Sequence, residues 1–200
     1  DPAGGEQCPR DVGDGIQFAS HPEISVKNAW SHDKLKSELK KMREMGLEPI
    51  PKLNFSTCHD QWMGKYSRMV STPEYYKVCE DLIAETIELF GKPRFFHLGM
   101  DEEEAVHQTN FEYVVMRQHG LWWRDIKFLF KLCEDRGARP WIWGDYVWNH
   151  KDEFFANMPK NIVQSNWYRD PVRGDAKSVY GGVINMDNDE TKMRAAFQYA

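Results

Sequence analysis

The segment HLGMDEE, His97 to Glu103, sets two acids side by side, Asp101 and Glu102, at the end of a short apolar and aromatic run that reads as a strand buried on both faces. Consecutive side chains on a regular strand point to opposite faces, so these two can serve one site only where the strand breaks into its loop. Gly99 is the residue that would permit the break. Two carboxyls in a partly apolar cleft can titrate apart, one staying ionised to stabilise positive charge and the other keeping a proton for a leaving group. That division of labour is the one glycoside cleavage requires. The plainer alternative is a solvated acidic helix start, where carboxylates are favoured by the helix dipole, and Glu103 and Glu104 are assigned to it.

Other polar and aromatic residues collect at comparable places: His59 and Asp60 after one candidate strand, Asp145 after another, Trp167 and Tyr168 after a third. In PWIWGD, Trp141 and Trp143 are two apart and share a face. Their rings, with that of Trp167, could stack on sugar C–H faces or wall a pocket, and a Trp is equally good core filling. Trp143 and Trp167 are the preferred pocket residues, with Trp141 behind them. Asp145 could bind sugar hydroxyls or hold a loop, Tyr168 and Asp187 are weaker candidates, and Trp148 is assigned to packing.

The elements that must position these residues are legible from capping and periodicity. Ser31 caps a helix carrying Leu35, Leu39, Met42 and Met45 on one stripe, and Gly46 stops it. LEPIPKLNF follows as a strand despite two prolines, then a loop, STCHDQWMGKYSRMV. Thr72 and Pro73 open a second helix with Tyr75, Cys79, Leu82, Ile83, Ile87 and Phe90 inward, ending at Gly91. After the strand RFFHLGM, a third helix spans roughly 121 to 136, with Trp122, Ile126, Leu129, Phe130 and Cys133 inward and Gly137 as its stop. Strand PWIWGD comes next, then a short helical stretch over 151–156, and NIVQSNWY and GGVINMD as two further strands.

Strands alternating with helices imply a parallel sheet, either doubly wound or a (β/α)8 TIM barrel. No GxGxxG or GxxxxGK[ST] occurs at a strand exit, and chemical groups gather instead at the carboxyl ends of several strands, which is the habit of the barrel. Five strands are too few to close one, so a partial barrel is expected, a piece of a larger enzyme. The chain, residues 1–200, reads as a single domain with residues 1–30 as its irregular N-terminal segment. A formal charge of −5, from 26 Lys+Arg against 31 Asp+Glu, argues against a nucleic-acid partner. No apolar run is long enough to span a membrane, the first residues lack the pattern of a signal peptide, and a chain beginning at Asp is expected to derive from a longer one. The cysteines at 8, 58, 79 and 133 form no CxxC pair, and Cys79 and Cys133 are expected as buried thiols.

Over most of its length the sequence resembles the family 20 glycoside hydrolases, the β-N-acetylhexosaminidases. KNAWSHDKLKSELKKMREMGLEPIPKLNFSTCH is similar to the stretch through that family's third strand, with its IPEID-type strand and PGH-type loop. STPEYYKVCEDLIAETIELFGKPRFFHLGMDEE is similar to the next helix and the HxGGDE motif, PWIWGD resembles the fifth-strand segment that bears a substrate-contacting Trp, and NIVQSNW resembles the sixth-strand segment that ends in Trp. The resemblance implies a barrel seen over about strands 3 to 7. It also implies substrate-assisted retaining hydrolysis of terminal N-acetylhexosamine from a glycan or small saccharide, without a cofactor or metal, in a secreted or periplasmic setting. By motif position Asp101 would orient the substrate acetamido group, Glu102 would be the general acid and base, and His59 would tune or orient the acid. The chain departs from the pattern at Met100, where the family has a second Gly, and at Lys52 and Asn54, which stand for the two acids of IPEID. No tyrosine clearly matches the one that bonds the acetamido oxygen.

Two rival readings remain open on the sequence. One is a metal-dependent hydrolase on a similar barrel using His59, His97, Asp101 and Asp145, although nothing resembles HxH. The other is a non-catalytic carbohydrate-binding barrel that keeps the aromatic cleft without the chemistry.

Overall fold

The computed structural model describes residues 13–112 and 114–165. Helix α1, His32–Glu44, begins as the capping residue directs: Ser31 Oγ accepts from the Lys34 N–H at 3.3 Å. Leu35 and Leu39 are buried, but Met42 and Met45, expected on the same stripe, are 37% and 68% exposed. The apolar stripe runs out after Leu39. In the last turn Arg43 makes the contact with the neighbouring helix end, donating from Nη2 to the Phe90 carbonyl at 2.7 Å. Helix α2, Pro73–Leu89, starts at Thr72, whose Oγ1 accepts from the Tyr75 N–H at 3.2 Å. All six residues assigned to its inward face, Tyr75 to Phe90, are buried.

Between these helices, residues 51–55 lie parallel to β1, Phe95–His97. The His97 N–H donates to the Pro51 carbonyl at 2.9 Å, Leu53 N–H to the His97 carbonyl at 3.0 Å, and Phe55 N–H to the Leu98 carbonyl at 3.0 Å. Pro51 has no N–H, and here only its carbonyl is needed, which is how a proline is accommodated beside a buried strand. β1 pairs parallel with β2, Arg139–Trp143, and β2 with β3, Val163–Ser165. The connections are α2, α3 (Gly120–Glu134) and α4 (Lys151–Asn157). The inward residues expected of α3 are all buried.

The strands therefore lie side by side in the order in which they occur in the chain, 51–55, β1, β2, β3. A doubly wound sheet reverses its order at a switch point, whereas a barrel wall continues in one direction, and this sheet does not reverse. On β2 the alternation separates buried Pro140 and Ile142 from half-buried Trp141 and Trp143, which share their face with His97: ring centroids stand 5.4 Å and 4.9 Å from it. Strand GGVINMD, and with it Trp167, Tyr168 and Asp187, lies outside the described residues. Cys58, Cys79 and Cys133 are buried free thiols. Among the described residues no helix is long and apolar enough to cross a membrane.

Candidate active site

β1 ends in a backbone that few L-residues adopt. Gly99, Met100 and Glu102 all have positive φ, +72°, +73° and +56°. The ladder still holds at Gly99, whose carbonyl accepts from the Trp143 N–H at 2.9 Å, and beyond it the chain turns so that two consecutive acids face one place. His59 Nε2 lies 3.2 Å from Glu102 Oε2 and 3.5 Å from Asp101 Oδ2. The two carboxyls are 18% and 33% exposed, open enough to meet a solute and sunk enough to be positioned.

Asn54, at the carboxyl end of the neighbouring strand, fixes this turn. Its Oδ1 accepts from the backbone N–H of Met100 and of Ser56, each at 3.1 Å, and its Nδ2 donates to Asp101 Oδ1 at 2.8 Å. An amide can do both, since it carries a donor and an acceptor; a carboxylate at position 54 could accept from the backbone but could not donate to Asp101. The approach is close. A Cβ on Gly99 would lie 2.0 Å from Asn54 Oδ1 and 2.7 Å from its Cα. Asp145, following β2, accepts from the Glu102 N–H at 2.8 Å, so the part it visibly plays is to hold the loop. Sequence reasoning marked Asn54 only as a departure from a motif. Its position at a strand end beside HLGMDEE was the signal that could have found it.

Glu103 corrects the expectation of a solvated acidic helix start. No α-helix begins there, only a short 3-10 turn at Ala105–Gln108, and the Glu103 side chain is buried. It accepts from Arg117 three times, from N at 3.0 Å, Nε at 2.8 Å and Nη2 at 2.6 Å, and from the Thr57 N–H at 3.2 Å. Arg117 is itself buried, donates to the Phe55 carbonyl at 2.6 Å, and has Asp125 3.6 Å away. Glu104 is exposed and bonds Asn149. Asp60 is also buried, with neither carboxylate oxygen hydrogen-bonded within the protein, and burial pushes its pKa up to about 7 against the pull of the Arg117 and Arg68 charges.

His97 lies on the inner face between the two Trp rings, its Nδ1 accepting from the Gly99 N–H at 3.0 Å. Burial, with the Lys52 charge nearby, lowers its pKa to about 3, so it is a neutral wedge. The Lys52 ammonium stands 5.6 Å from the Trp143 ring, and Trp141 Nε1 donates to Ser165 Oγ at 2.8 Å. The structure thus gathers His59, Asp101, Glu102 and the Asp145 carboxylate at one rim and places Trp141 and Trp143 on the inner face with His97. The four donors of the metal-dependent reading are not gathered: the set with ligand atoms within 4.8 Å of one another is His59, Asp101 and Glu102, without His97 or Asp145.

A parallel sheet laid down in chain order, with polar groups at its carboxyl edge, belongs to the (β/α)8 class. No family model and no curated protein matches the chain. Solved structures do. A chitobiase of Flavobacterium johnsoniae is similar with a TM-score of 0.60 at 17% identity, over 81% of this chain and 28% of that one. A beta-N-acetylhexosaminidase from Bacteroides fragilis is similar with a TM-score of 0.61 at 14% identity, over 95% and 40%. Dispersin B follows with 0.52 at 18% identity, over 94% and 54%. The chain has the fold of the family 20 glycoside-hydrolase barrel and spans between 28% and 54% of the length of these three structures. Identities this low establish a shared fold.

Proposed function

We propose that the chain is the catalytic-rim portion of a glycoside hydrolase that removes terminal N-acetylhexosamine from glycans by substrate-assisted retaining hydrolysis, as one domain carrying strands 3 to 7 of the barrel. The observation that carries this reading is the convergence of Asp101 and Glu102 on His59, 3.5 Å and 3.2 Å away, at a strand exit whose backbone is bent to allow it. In the reaction the substrate's acetamido oxygen attacks the anomeric carbon as the glycosidic oxygen leaves. Glu102 gives its proton to that leaving oxygen. Asp101, held by the Asn54 amide, accepts from the acetamido N–H and balances the positive charge of the oxazolinium ion. Glu102, now a carboxylate, takes a proton from water as the water opens the ring, and is restored. His59 orients Glu102 through Nε2. Trp143 and Trp167 are the proposed sugar-facing rings, with Trp141, Tyr168 and Asp145 contributing to substrate binding.

Glu102→Gln is expected to abolish cleavage of poor leaving groups while sparing activated aryl glycosides, because only the former need the proton. Comparing alkyl with activated aryl N-acetylglucosaminides tests this, and equal loss on good and poor leaving groups removes Glu102 as the acid; assays on aryl N-acetylglucosaminide, N-acetylgalactosaminide and plain glucoside read the sugar preference. Asp101→Asn should lose rate on every acetamido substrate and little on others.

A metal-assisted reading keeps one observation in its favour, the His59, Asp101 and Glu102 donor atoms within 4.8 Å of one another. Turnover that survives exhaustive chelation eliminates it.

A further inference from the structure

A second cluster lies on the same rim, at the far ends of the two connections that carry Asp101, Glu102 and Asp145. His119 immediately precedes α3, while His150 and Glu153 sit at the start of α4, and their donor atoms lie within 4.8 Å of one another. Both imidazoles turn Nδ1 toward one carboxylate oxygen: Glu153 Oε2 is 3.5 Å from His119 and 3.8 Å from His150. Those separations are at or past the outer limit of a hydrogen bond. They are close to the edge of a tetrahedron around zinc, where bonds of about 2.0–2.1 Å place ligand atoms roughly 3.3–3.4 Å apart. The His150 ring is held in plane by stacking on Tyr146 at 4.2 Å, and Tyr146 stacks at 3.8 Å on the buried Trp122. His119 is open to solvent, which leaves a way in.

We propose that His119, His150 and Glu153 form a zinc-binding site with its fourth position open to water. Two imidazoles and one carboxylate are an ordinary donor set for that ion. The place of the ligands assigns the site a role. His119 is two residues beyond Arg117, which holds Glu103, and His150 follows Asn149, which bonds Glu104. A bound ion ties the loop leading into α3 to the loop leading into α4, and so fixes from outside the two connections that hold the acids next to Glu102. It is a clamp on the rim and has no part in the chemistry at Asp101 and Glu102.

The test is a calorimetric titration of the metal-free protein with Zn2+, repeated with Co2+ and read by its visible absorption, on the parent, on His119→Ala/His150→Ala, on Glu153→Gln and on His59→Ala. The parent and His59→Ala are expected to bind one equivalent, and to unfold at a higher temperature with zinc than without. The double variant and Glu153→Gln are expected to bind at least about tenfold more weakly and to lose that thermal shift, with unchanged circular dichroism. No bound equivalent in the parent, an equivalent retained in both ligand variants, or one lost with His59→Ala would each overturn the proposal. None of these outcomes depends on glycoside cleavage, so the clamp and the proposed activity stand or fall separately.

Discussion

Asp101, Glu102, Glu103 and Glu104 are four consecutive acids with at least three environments. Asp101 and Glu102 face His59, Glu104 is exposed, and Glu103 is sealed with its side chain 1% exposed against an equally buried Arg117. Removing one member of a buried pair strands the other charge at a cost of about 3–5 kcal/mol. Glu103→Gln is therefore expected to lose about that much unfolding free energy, since an amide NH2 would also confront the Arg117 and Thr57 donors. Glu102→Gln, at a partly open rim, should stay within about 0.5 kcal/mol of the parent. Urea denaturation of the two variants distinguishes the residues, and a stable Glu103→Gln protein would dissolve the pairing. The adjacency of Asp101 and Glu102 was visible in the sequence. The fate of Glu103 was not, because Arg117 lies 14 positions away in a loop with no pattern that aims it.

At the scale of elements, signals that act within a few residues carried over to the structure. Ser31 and Thr72 cap the helices they were expected to cap, and Gly46, Gly91 and Gly137 stop theirs in left-handed backbone. Strand extent carried over less well. RFFHLGM is regular only over Phe95–His97, because a strand's length depends on partners supplied from elsewhere in the chain. Its exit is the element on which the site depends, and Gly99→Ala tests it. With φ +72° and a Cβ landing 2.0 Å from Asn54 Oδ1, the substitution should push Asn54 off Asp101, costing about 2–4 kcal/mol and the proposed cleavage activity. Gly46→Ala is the control: φ is +80° but nothing stands within 4 Å of its Cβ, so about 1–2 kcal/mol and no activity should be lost. Similar losses in both variants, by denaturation and by assay, would show backbone strain alone to be at work.

Across the whole molecule, two buried titratable groups give stability opposite pH slopes. Asp60 titrates near 7 when folded and near ~3.9 unfolded, so between these values the folded state holds the extra proton and stability falls as pH rises. His97 titrates near 3 when folded and near ~6.5 unfolded, so the unfolded state holds the extra proton and stability falls as pH drops through that window. The slopes oppose each other between about pH 4 and 6.5. Asp60→Asn leaves the histidine alone: denaturation curves should show a steeper loss in acid and a more stable protein than the parent at about pH 8. Equal stability of the two proteins at that pH would show that Asp60 carries no burial cost.

Over the described residues, the sequence by itself determined the succession of α-helices and strands, the helix ends, the parallel architecture and the one place where two acids meet at a strand exit. These follow from periodicity, capping and alternation, which act over a few residues and are written in neighbouring letters. The tertiary structure alone decided which acid is sealed and which is open, that Asn54 and not an acid steadies Asp101, that Met42 and Met45 leave the core, and that His119 meets His150. Each of those outcomes joins residues distant in the chain, and their energies come from burial and from the direction of single hydrogen bonds, which exist only once the strands lie side by side.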